Sequence, residues 1–151
     1  MTQELSKERR DFLTKDFARG FVKFCGIEAV QIERGFFHSR GVIKEHHQTQ
    51  DGFIHAGLIA TMSDHTAGYA AYTLVDETSR ILTVEFKINF LKPAHGTMLH
   101  CKSTIVSQGK QIIVAQSSVF DIRQSQENTQ EKMVSRSTVT LMVVDAARLS
   151  G

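Results

Sequence analysis

The chain has 151 residues, 41% of them hydrophobic, which suits one domain with one core that buries roughly two thirds of the unfolded surface. Its 18 Lys and Arg against 16 Asp and Glu leave a net charge of only +2, dispersed rather than gathered into a stripe, so nucleic acid is not an implied partner. Cys25 and Cys101 lie far apart with no neighbouring CxxC or CxxH, which fits reduced thiols in the cytosol better than a disulfide framework.

The opening "MTQELSKERRDFLTKDFARG" has no apolar h-region and reads as neither signal nor transit peptide, so the mature chain is expected to start here. Leu5, Phe12, Leu13 and Phe17 recur at near-helical intervals among charges. They predict an amphipathic surface helix over about 2–19, with Gly20 as its stop. "IEAVQIERG" and "FFHSRGVIKE" are rich in β-branched and aromatic residues, and the "RG" between them predicts a hairpin.

The run "DGFIHAGLIATMSDHTAGYAAYTLV", residues 51–75, is too long and too rich in alanine for a strand. Ile59, Met62, Thr66, Tyr69 and Thr73 fall at helical spacing and predict a helix over about 55–75, buried on most sides. Asp51, His55, Asp64 and His65 interrupt it too often for a membrane span.

"ILTVEFKINFL" alternates, which places Leu82, Val84, Phe86, Ile88 and Phe90 on one face and Thr83, Glu85, Lys87 and Asn89 on a wet one. Three more antiparallel strands are expected near 97–107, 110–122 and 132–144, the first two joined by a turn at "SQGK". No repeat or linker appears, and Pro93 is the only proline, so residues 1–151 form a single domain. A helix apolar all round needs partners on several sides, and a curved antiparallel sheet wrapping it supplies them, giving an α+β fold.

With this element order, "GFIHAGLIATMSD", "LTVEFKINFLKPA" and "SQGK" together resemble the hot-dog fold thioesterases of the phenylacetate-degradation (PaaI-like) type. The resemblance covers essentially residues 30–145. It implies an acyl-CoA thioesterase acting on a fatty or aromatic acyl-CoA, a site between two subunits with antiparallel helices, and a homodimer or dimer of dimers. Thr83 then lies where the family often has a Ser or Thr that orients the attacking water. Lys92, Lys110 and Arg136 stand where similar enzymes contact the coenzyme A nucleotide, and Tyr69, Phe90 and Met62 become candidates for the acyl pocket. Thr49 occupies the position of an asparagine in many members, and Ala56 that of the first glycine after the histidine.

The residues themselves support parts of this. An acid at position 64 gains nothing from helix propensity and is costly if buried unpaired. It either bonds a neighbouring hydroxyl or serves as an ionised carboxylate that attacks a carbonyl or deprotonates water. The first turn of the helix has free N–H groups for a developing oxyanion, and Gly57 lets a substrate approach the main chain. His55 could donate to the same carbonyl or merely cap the turn. Its nine-residue offset from Asp64 is about 13.5 Å along a helix, so one carbonyl meets both only if a second chain contributes.

Seven histidines, including the pair in "EHHQ", invite a metal, yet no His-x-x-x-His occurs and the resembled family uses none. Neither metal nor cofactor is expected. Two other readings stay open: an acyl-thioester dehydratase or hydratase that pairs His55 with Asp64, and a non-catalytic acyl-thioester-binding module, suggested by Ala56 and Thr49.

Overall fold

The computed structural model describes residues 4–150. Helix α1 (Lys7–Phe17) starts at Ser6, whose Oγ accepts the Arg9 amide at 3.0 Å, an ordinary N-cap. The predicted helix is thus shortened at its start, and positions 2 and 3 lie outside the described residues. Gly20 does not stop helical structure: at φ +53° it redirects the chain into a second short helix, α2 (Gly20–Phe24).

Strands β1 (Ile27–Glu33) and β2 (Phe36–Val42) form the expected hairpin, with Gly35 at φ +77° in the turn. A 3₁₀ turn at Glu45–His47 leads to α3 (Ala56–Tyr72), and β3 (Ser79–Phe90), β4 (Met98–Gln108), β5 (Ile112–Gln124) and β6 (Thr129–Asp145) follow. All pairings are antiparallel, and the six-stranded sheet has the order β1-β2-β4-β5-β6-β3. The single-layer sheet curves around α3, which touches all six strands.

The helix can lie this close because small residues face it: Ser39, Cys101, Ser103, Ala115 and Ser117 are fully buried. Their hydroxyls are paired locally, Ser39 Oγ with Thr66 Oγ1 at 2.7 Å and Ser117 Oγ donating to the Ser63 carbonyl at 2.8 Å, so the contact loses little from desolvation. The Cys101 thiol, also buried here, is pushed up to about 11 by desolvation. Both cysteines are free.

Helix α1 is clamped across the other side of α3. Phe17, fully buried, stacks on Phe37 with centroids 4.8 Å apart and meets Tyr69 edge-on at 5.1 Å. Arg9 donates to the carbonyls of Tyr72 and Val75 at 3.0 and 3.2 Å, placing a cation at the negative end of α3. The expected burial of α3 on most sides therefore holds at eight of its positions, while Thr61, Asp64, His65, Gly68 and Tyr72 form a half-buried stripe left outside the sheet.

Strand β3 departs from its predicted alternation. Its register against β6 shifts between Thr83 and Glu85, a bulge that reverses the inward and outward faces. Before it Ile81 packs under the helix, after it Phe86 and Ile88 do, and Leu82 and Val84 are 42% and 56% exposed. Thr83, expected on the wet face, therefore points at α3.

Candidate active site

Asp64 sits half-buried in the third turn of α3, and the Thr83 hydroxyl donates to its Oδ1 at 2.7 Å. That bond fixes one carboxylate oxygen and leaves Oδ2 without a protein partner among the described residues. The acid lies between two clefts. One, about 220 Å³, is lined by Tyr72, Ile81 and Thr83; the other, about 350 Å³, is walled by Arg19, Phe21 and Thr61. A carboxylate held on one side and open on the other can act as nucleophile or as base toward a bound water.

At the N-terminus of α3, His55 is the N-cap: its Nδ1 accepts the Gly57 amide at 2.8 Å. Accepting there requires an unprotonated Nδ1, so the neutral ring carries its proton on Nε2 and presents it outward. The Gly57 N–H is thus occupied by His55. Among the described residues the exposed Ala56 amide closes no hydrogen bond, so Ala56 N–H and His55 Nε2–H are the donors open to a ligand. Gly57 matters for space, since a Cβ there would come within 2.9 Å of His55 Nδ1 and displace the ring.

Thr49 is engaged in its own turn. Its amide donates to the Phe53 carbonyl at 2.7 Å and its Oγ1 accepts the Asp51 amide at 3.3 Å. Gln48, not singled out from sequence, instead borders the apolar groove beside His55 and Gly57, together with Phe21, Phe24 and Leu58. His47 borders it too; its Nδ1 accepts the Lys44 amide at 3.0 Å, and its Nε2 lies near the Cys25 main chain without closing a hydrogen bond. Burial, then the neighbouring His46, holds this imidazole below its usual range.

The remaining candidates separate. Tyr69 lines the cleft beside Asp64, but its ring is buried in the aromatic cluster and its hydroxyl donates to Asp16 at 2.8 Å. Burial and that carboxylate both raise its pKa. Met62 is core at 1% exposure. Phe90, Lys92 and Lys110 are exposed, Phe90 and Lys92 at the far end of β3 and Lys110 in the β4–β5 turn. Arg136 donates to Gln116 at 2.7 Å on the outer face of the sheet. None of these four borders the Asp64 clefts.

His65, beside Asp64, interrupts the apolar run but carries no functional signal in the sequence. Its ring lies against Phe17 and Tyr69, its Nε2 donates to the Phe17 carbonyl at 3.0 Å, and burial depresses its pKa. Among the described residues no three His, Cys, Asp or Glu side chains converge on a possible metal position.

A curved antiparallel sheet around one long helix, with an acid on that helix and a histidine at its start, is the architecture of hot-dog thioesterases. The family described as "Thioesterase superfamily" matches residues 51–127, half of the chain, and the chain belongs to it. A solved thioesterase family protein from Silicibacter pomeroyi is 30% identical, with a TM-score of 0.84 over 91% of this chain and 98% of that one. The PaaI protein of the E. coli phenylacetic acid degradation operon shares the fold, with a TM-score of 0.78 at 18% identity over 93% of this chain and 96% of that one. A Saccharolobus solfataricus protein named "Putative esterase" is 32% identical over 65% of this chain and 65% of its own length. The chain thus spans just under two thirds of that relative.

Proposed function

We propose that the protein hydrolyses the thioester of an acyl-CoA to a free acid and coenzyme A, at a site that two copies of the chain complete. The observation that carries this is the Asp64–Thr83 bond of 2.7 Å, which orients a carboxylate toward open space in a fold of thioester hydrolases. The Asp64 carboxylate attacks the thioester carbonyl or takes a proton from the attacking water. Negative charge on the carbonyl oxygen is met by His55 Nε2–H and the Ala56 amide, helped by the positive end of the α3 dipole. Gly57 keeps the His55 ring in place. The thiolate of coenzyme A then leaves. With Asp64 as nucleophile, a water hydrolyses the acyl–Asp64 anhydride to the free acid; with Asp64 as base, its proton passes to the departing thiolate.

The nine residues between His55 and Asp64 span about 13.5 Å of helix, too far for one carbonyl to touch both. The second copy is therefore part of the proposal, whether the assembly is a dimer or a dimer of dimers. Lys92, Lys110 and Arg136 lie outside the Asp64 clefts of one chain, so contact with the coenzyme A phosphates rests on their meeting the partner's site. The two free thiols suit the cytosol. No helix among the described residues is long and apolar enough to cross a membrane.

Release of thiol from a panel of acyl-CoAs tests this. Asp64→Ala and Asp64→Asn should each lower kcat by about 10²–10⁴ with the circular dichroism spectrum unchanged. Binding without turnover in the wild-type protein would favour the acyl-thioester-binding module. Water addition to an enoyl-CoA, read at the enoyl chromophore, would favour the hydratase.

A further inference from the structure

The proposed reaction leaves the acyl group unplaced, because Tyr69 is occupied by Asp16 and Met62 is core. Helix α2 supplies another place. Phe21 and Phe24 sit three residues apart on it and remain 64% and 75% exposed, an unusual cost for two large aromatic rings unless something apolar covers them. They line a groove of about 220 Å³ together with Leu58 and Thr61, and the same groove takes in His55 and Gly57 at the start of α3. The groove is continuous with the Asp64 cleft through Phe21 and Thr61, which line both.

We propose, building on the hydrolase reading, that this groove between α2 and the start of α3 receives the acyl group of the substrate, and that Phe21 and Phe24 select its size and polarity. Three observations carry the assignment. The groove takes in His55 and Gly57, in the turn that carries the donors proposed for the thioester carbonyl. Its lining contains no Asp, Glu, Lys or Arg, its polar members being Thr61, Gln48 and three imidazoles, so an acyl group ending in a charge meets no carboxylate, ammonium or guanidinium to pair with and is desolvated at a loss. Its volume exceeds the roughly 150 Å³ that holds a benzene ring in a protein interior and, scaled from that ring, accommodates about eight carbons. The substrate class is an uncharged acyl-CoA of medium chain length, or one bearing a single aromatic ring on a short arm.

The test separates binding from turnover by using thioethers of coenzyme A, which cannot be hydrolysed. Calorimetry should show S-octyl-CoA binding at least about tenfold more tightly than S-methyl-CoA, with the gain lost when the octyl chain ends in a carboxylate. In the double variant Phe21→Ala, Phe24→Ala the octyl gain should fall by about tenfold, and both side chains are exposed enough for the fold to survive. The proposal is overturned if S-octyl-CoA binds no better than S-methyl-CoA, or if the double variant keeps the whole octyl preference. A change in assembly mass in that variant with the preference intact also overturns it, because the two rings would then be a subunit contact. Octanoyl-CoA turnover is measured alongside. Phe-dependent binding without hydrolysis would refute the hydrolase reading and leave the groove assignment standing.

Discussion

Asp64 and Thr83 divide one task between an acid and a hydroxyl. A charge-assisted bond of 2.7 Å restricts the carboxylate to one rotamer, and a hydroxyl with a second lone pair can also hold the water that attacks. Thr83→Ala should therefore reduce kcat by roughly ten- to a hundredfold with little change in KM, while Thr83→Ser restores most of it; steady-state kinetics on one acyl-CoA checks both. A different pair of residues contributes to acid stability, beside the buried His47 and the half-buried His65. His38 Nε2 and His100 Nδ1 lie 2.6 Å apart on the outer face of the sheet. Burial first, then His100, Lys102 and Arg40, pushes His38 from 6.5 to about 4, and His100 is lowered too. The native state thus refuses protons that the unfolded chain takes up below about pH 6.5, so stability is full above that pH and falls toward pH 4. For a half-buried group the loss is roughly 1–2 kcal/mol. Urea midpoints from pH 7 to pH 4.5 should decline, and His38→Gln should flatten the decline.

Among the elements, the central helix, the hairpin and the four later strands were legible because each carries one clear period. Strand β3 was legible only in part. Val84, the bulge residue, is itself apolar, so the apolar–polar alternation runs through the register shift unbroken in sequence while the side chains change face in space. That one residue moved Thr83 from solvent to the acid. Helix α2 escaped notice because a five-residue segment is too short to show a period, and Gly20 serves equally as a stop and as a left-handed hinge. With α2 went Phe21 and Phe24. Asp64 and His55 stand out as candidates from their motif, whereas His65 and Gln48 carry no signal until α1 and the 3₁₀ turn are in place. The β3–β4 connection shows how tightly such links are set. Asp121 accepts the amides of His95 and Gly96 at 3.0 and 2.8 Å, and any Cβ at position 96 would collide with that carboxylate and with the Ile122 carbonyl. Gly96→Ala should cost about 1–3 kcal/mol, a fall in Tm of roughly 3–10 °C by calorimetry.

For the whole molecule, the fold brings His55, Gly57 and Asp64 onto one helix but leaves them separated along it, and among the described residues β1 and β3 are the edges of the sheet. A two-fold axis that sets two α3 helices antiparallel would bring each donor pair to the partner's acid, and a self-complementary interface of that kind completes two sites at once. The most direct measurement mixes inactive His55→Ala and Asp64→Ala proteins under conditions in which subunits exchange. Random reassortment leaves one intact site in half of the dimers, so thiol release should recover to about one quarter of the wild-type rate. Recovery no greater than either parent, with exchange verified by mass spectrometry of the mixed dimer, would contradict a site shared between subunits.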